Sequence, residues 1–279
     1  MNGEIDYWLD RSADLPALEL PTDRPHMPSR FTEVATVGFD VPAPTAQRLR
    51  TLSDAHGTTL PRTLLAALTV LIGRYTGSDD VAVVAAVPDA SRATKRSGLT
   101  LHRADLSRDP SFAELLERVR EGDAAQDQLP EEVLSTLAAD HTGPRSPLFQ
   151  LYFGYTGPDT EAYRLSGALD SQFDLAVRVG DSGDGDGLVG EVQYCTALFD
   201  AATVQRLAGH LVAVLEAVAA DAGQQVGDLS VLSAGERELV VEGWNGSSVD
   251  LPLVGGVHEL IAGRAGVAPD VVAVVSGGE

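Results

Sequence analysis

Apolar and polar residues along the chain fall into short, well-separated periods. The alternating valines of "EVATVGFDV", residues 33–41, predict a half-buried strand. Two helices follow. The second, over 60–75, carries Leu64, Leu68, Leu71 and Tyr75 on one stripe, with Leu65 and Ile72 widening it. A stripe that wide predicts burial on several sides. "DVAVVAAV" at 80–87 is a continuous apolar run, short enough for a central strand. Another strand is expected around "LTLHRADL". Pro110, Ser111 and Glu114 then write a helix start with a capping box, for a helix running to about Gln126. A short helix is expected from Pro130.

"PRSPLFQLYFGY", residues 144–155, predicts a buried strand that includes Pro147, Leu148, Phe149, Leu151 and Phe153. Further strands are expected near 171–178 and 188–195. Asp200 is the expected cap of a long helix striped by Val204, Leu207, Leu211, Val214, Leu215 and Val218. A small helix should start at Ser233 with Glu236 as its box partner, another near "VHELIAGRAG", and a strand at "VVAVV". Strands mixed with helices define an α/β domain with a mixed sheet. Proline density makes residues 1–30 a connector crossing a surface, and beyond Asp221 the chain reads as linker, "AGQQVGDLSVLS".

Charge narrows the function. The chain has 279 residues, 41 acidic against 20 basic, and a net charge of −21. A polyanion would need phosphate contacts that this balance does not supply, so nucleic acid is excluded as partner. No apolar run is long enough for a membrane span, and "MNGEIDYWLD" lacks a basic-then-apolar start, so a soluble cytoplasmic protein is expected. The one cysteine, Cys195, lies in a strand-like run and reads as a small buried hydrophobe.

Few residue clusters could do chemistry. The six histidines are mutually non-adjacent. "HELIA" at 258 has Ala262 where a zinc-protease helix needs its second ligand. His210, beside an apolar stripe, reads as a structural histidine. In "DSGDGDG", setting Gly187 as the invariant glycine of a calcium loop puts Asp184 and Asp186 in register. It also puts Ser182 and Gln193 where the strongest ligands belong, so a hairpin turn is expected instead. No metal, catalytic or cofactor-binding residue is assigned in this chain.

A set of segments points further. "YW", "LELPTDRP", "RYTGSDDV", "DLSRDPSFAELLERVR", "SPLFQLYF", "YCTALFDAATVQRLAGHL" and "LSAGERELVVEGWN" follow one another in an order that resembles nonribosomal peptide synthetase condensation domains. The tail from Val257 resembles the start of an adenylation domain. The resemblance implies a chloramphenicol acetyltransferase-like α/β lobe, with a mixed sheet flanked by helices. It covers the family's C-terminal lobe, so 1–30 becomes the lobe-crossover connector, 31–222 the lobe, 223–252 the condensation–adenylation linker and 253–279 the beginning of the adenylation domain.

That resemblance has chemical consequences. The family's HHxxxDG motif, whose second histidine positions or deprotonates the attacking amine, has no counterpart here; the nearest pattern is His102 with Asp105. The span from Arg92 to Asp105 is too short for the family's GxFVNT stretch. The HQDxPFE motif reads "QDQLPEE", with Gln126 and Gln128 in place of histidine and aspartate and Glu131 in place of phenylalanine. In the RDxSxxPLF pattern, His141 and Pro144 replace arginine and serine.

Three roles are therefore open. The lobe can be a truncated, non-catalytic platform for an adjoining adenylation domain in cis, with Trp8, Trp244 and Asn245 as candidates for interdomain packing. It can dock a tailoring enzyme or a carrier protein. It can also be half of an amide-forming enzyme whose first lobe lies elsewhere. ATP, magnesium and carrier-protein phosphopantetheine would belong to the parent assembly line, by resemblance.

Overall fold

A computed structural model describes residues 7–8, 15, 17–25, 33–88, 97–123, 129–139, 147–157, 172–183, 186–246 and 256–272. Among the described residues six strands form one sheet: β1 (Val34–Val41), β2 (Asp80–Pro88), β3 (Ser97–Asp105), β4 (Leu151–Thr156), β5 (Leu175–Asp181) and β6 (Leu188–Cys195). Their spatial order is β1-β6-β5-β4-β2-β3. The β2–β4 and β4–β5 pairs are parallel and the rest antiparallel, so the sheet is mixed.

One face of the sheet carries helices α1 (Ala43–Ala55), α2 (Leu60–Thr76) and α5 (Ala201–Ala220), with α3 (Phe112–Asp123) packed beside α2. Twelve of the 17 residues of α2 are buried, which is what its wide stripe requires of a helix lying between sheet and neighbours. Two hydroxyls buried with it are paired: the Ser53 and Thr63 hydroxyls lie 2.7 Å apart, and Ser53 Oγ donates to the Leu49 carbonyl. Gly77 ends α2 at φ 67°, a left-handed cap that glycine adopts without a Cβ penalty.

Along β2, Val81, Val83, Ala85 and Val87 enter this first core, while Ala82, Val84 and Ala86 enter a second core on the opposite face. A continuous apolar run is the consequence of burial on both sides. The second core gathers Trp8, Leu15, Leu148, Phe149, Tyr152 and Phe173 with Val133 and Leu134 from α4 (Glu131–Ala139).

Two expectations need correction. Pro147–Phe149 is a 3-10 turn, and strand β4 begins only at Leu151. The intervening Gln150 explains the break: its Nε2 donates to the Leu18 carbonyl at 2.6 Å and its Oε1 accepts the Leu18 amide at 2.7 Å. The side chain thus pairs with the N-terminal connector. Nor does the Asp200 side chain cap α5. It binds Arg24, and Asp23 takes over, accepting the Asp200 amide at 2.7 Å and the Thr203 hydroxyl at 2.9 Å. The connector is therefore stitched to the lobe, where a carboxylate offsets the positive end of the helix dipole.

The capping box forms as expected: Glu114 Oε2 accepts the Ser111 amide, and Ser111 Oγ accepts the Glu114 amide. Residues 181 and 188 pair directly, closing an antiparallel hairpin over the expected turn.

The chain divides between Ser233 and Ala234, inside the stretch read as linker. The second unit holds α6 (Ala234–Glu238), a π-helical turn (Leu239–Gly243) and α7 (Val257–Val267). Val271 and Val272 carry no regular structure, and the rest of "VVAVV" lies outside the described residues.

Candidate functional site

The face of the sheet opposite α1, α2 and α5 has two parts. Toward β2 and β3 it is covered by the second core. Trp8 is 2% exposed there and meets Tyr7 edge-on, with ring centroids 5.5 Å apart. Phe173 stacks obliquely on both Phe149 and Tyr152. Trp8 therefore holds the N-terminal segment onto the lobe.

Toward β6 and β1 the same face turns polar. Register aligns Gly154, Arg178, Glu191 and Gly38 across four strands. The Arg178 guanidinium lies 5.5 Å over the Tyr152 ring, and its Nη1 reaches Glu191 Oε1 and Gln193 Oε1 at 3.4 Å each. A cation held by a ring, a carboxylate and an amide is an orienting group rather than a base.

The described histidines do not converge. His102 is buried on β3 with its pKa pushed down to about 4, by burial first and by the nearby Arg62 cation second. Strand alternation turns Asp105 to the opposite face, where the Ser107 hydroxyl and amide hold its carboxyl below the usual range. His210 shares a 2.6 Å hydrogen bond with Tyr75, between α5 and α2. Cys195 is a free, buried thiol in the first core. Among the described residues no group of three His, Cys, Asp or Glu could hold a metal ion, and no helix is long and apolar enough to cross a membrane.

Of the degenerate motif positions, Gln126, Gln128, His141 and Pro144 lie outside the described residues. Glu131 is half-buried in the first turn of α4, where the helix dipole favours a carboxylate. The packing falls to Leu129, Val133 and Leu134 around it, and the Leu129 amide donates to the Leu99 carbonyl on the edge of β3. A charge is tolerated there because the core is sealed by its neighbours.

In the second unit, Trp244 is 72% exposed. Asn245 turns back on its own segment, its Nδ2 donating to the Val240 and Val241 carbonyls and so closing the π-helical turn. Leu239, Val240 and Val241 are exposed beside it. Sequence reasoning marked Trp244 but missed Arg178, whose relation to Tyr152 and Glu191 is created only by the sheet register.

A mixed sheet with helices on one face and a second core on part of the other defines a chloramphenicol acetyltransferase-like lobe. The sequence profile described as the condensation domain matches residues 1–241. This chain belongs to the condensation-domain family of nonribosomal peptide synthetases.

A linear gramicidin synthase of Brevibacillus parabrevis is 34% identical over 293 residues, covering 98% of this chain and 6% of that protein. Malpibaldin synthetase of Mortierella alpina is 33% identical over 299 residues, covering 99% of this chain and 5% of its own. The chain thus spans about one-twentieth of these relatives' length. Among solved structures, the complex of the X-domain and OxyB from teicoplanin biosynthesis superposes with a TM-score of 0.65 at 28% identity. That match covers 83% of this chain and 56% of the solved one.

Proposed function

We propose that this chain is a non-catalytic condensation-type lobe that serves as a structural platform for an adenylation domain in cis. The observation that carries this reading is the apolar surface of the second unit. Leu239, Val241, Trp244, Val257 and Ile261 are all exposed, while the lobe keeps two filled cores. An indole and several aliphatic side chains left in water favour burial against a neighbour. The absence of HHxxxDG from the 279 residues supports a role without its own base.

The test compares the parent module with and without residues 1–230, measuring adenylation rate and solubility. Loss of either on deletion supports the platform, and unchanged behaviour overturns it. An upstream segment carrying HHxxxDG, together with amide formation by the longer chain, would instead make this lobe half of an enzyme.

A second reading has its own support. The solved X-domain is in complex with OxyB. By that likeness, this lobe would recruit a tailoring enzyme acting on a carrier-bound substrate. Its test is co-purification with an oxygenase encoded beside the parent gene, and absence of binding would overturn it.

A further inference from the structure

The chain does not leave the lobe at the end of α5. Residues 222–231 run back over it, against the loop between β3 and α3. The carbonyls of Ala222 and Gln224 accept the Ala113 and Phe112 amides at 2.9 and 3.0 Å. These are first-turn donors of α3, which have no partner within their own helix. The Val226 amide donates to the Pro110 carbonyl at 2.9 Å, and Ser111 bridges to Gln225. Val226 and Leu229 are buried, and Val231 packs against the first core.

One contact dominates the middle of this run. Asp109 Oδ1 accepts the Gly227 amide at 2.7 Å, while Arg74 donates to the Gly227 carbonyl. A Cβ on Gly227 would stand 2.8 Å from that same carboxylate oxygen, so a side chain here would push the Asp109 carboxylate out of its present position. The loop that delivers the carboxylate is strained, because Arg108 and Asp109 hold φ of 67° and 49°. Beside the contact lies a cleft of about 350 Å³ lined by Val70, Gly73, Arg74, Leu106, Asp109 and Val226, among others. The run is thus attached along one edge, by an exposed latch and few buried side chains.

We propose that residues 222–231 are a releasable strap latched by Asp109 on Gly227, and that its opening lengthens the tether to the second unit. With the strap closed, only Leu232 and Ser233 separate Val231, packed on the lobe, from Ala234. Open, the free tether is residues 222–233. At full extension that raises its reach from about 7 Å to about 40 Å. Opening frees the first-turn amides of α3 to water and uncovers only Val226 and Leu229 among the strap's buried side chains, so it is a local event rather than unfolding of the lobe.

The test is amide hydrogen exchange on the full chain as a function of denaturant. The Phe112, Ala113, Val226 and Gly227 amides should exchange together through an opening with a small denaturant dependence, well before the amides of α5. Exchange of this group only with global unfolding of the lobe would overturn the proposal, whatever the variants do. Asp109→Ala should speed the group about tenfold or more, leaving α5 and the sheet unchanged. Asp109→Asn, whose amide oxygen can still accept the Gly227 N–H, should restore most of the protection. In parallel, spin labels on α5 and α7 should show a broader distance distribution in Asp109→Ala. An Asp109→Ala variant with unchanged exchange and unchanged distances would exclude the latch.

Discussion

Asp23 accepts the amide of Asp200 at 2.7 Å and so caps a helix from 177 residues away in the chain. That hydrogen bond is the first cause holding the Asp23 carboxyl below its usual 3.8. Asp23→Ala should lower stability by about 1 kcal/mol, the usual value of an N-cap. Because the folded-state pKa is depressed, the contribution is present above pH 3.8 and is lost as pH falls through the folded value. Urea unfolding of both proteins across pH 2.5–7 should show the two curves converging at the acid end; a constant offset would refute the cap.

His102 should give the opposite kind of acid sensitivity, from a base held neutral. Its pKa falls from 6.5 to about 4 on folding. Well above pH 6.5 neither state is charged, and the His102 titration contributes nothing to stability. As pH drops toward 4 the unfolded chain takes up the proton and the folded one resists, so up to about 3 kcal/mol is lost. His102→Leu should remove that part of the pH slope. A slope unchanged between pH 4 and 6.5 would place the sensitivity elsewhere.

The two tryptophans should behave as opposites. Trp8→Ala empties a site that is 2% exposed and should cost about 3–5 kcal/mol, with early proteolysis of the N-terminal segment. Trp244→Ala, at a site 72% exposed, should change lobe stability by less than about 0.5 kcal/mol. Denaturation followed by far-UV circular dichroism separates the two. Equal effects would contradict the burial pattern.

Gly190 lies opposite Phe39 in the β1–β6 ladder, and the Phe39 ring fills the volume that a side chain at Gly190 would need. Gly190→Val should destabilise by about 1–3 kcal/mol despite valine's preference for strands. Phe39→Ala combined with Gly190→Val should recover part of the loss, and a strictly additive pair would argue against the contact.

What the sequence revealed depended on how local each cause was. The stripe of α2, the double burial of β2 and the Ser111–Glu114 box are written within a few residues, and the structure reproduces them. The start of β4 and the cap of α5 are decided by Leu18 and Asp23, more than 130 residues away, and no periodicity carries that information. Glu131 stands where the family pattern has phenylalanine. Its neighbours Leu129 and Val133 turn inward in its place. The resemblance to condensation domains located the lobe, while the Arg178–Tyr152 contact needed two strands to be set side by side.

Both ends of α5 are moorings. Asp23 ties the arriving connector to its first turn, and the strap leaves directly from its last. Twenty residues of α-helix measure about 30 Å. While the strap is closed, α5 works as a ruler of fixed length between the points where the chain is handed to the lobe and handed on.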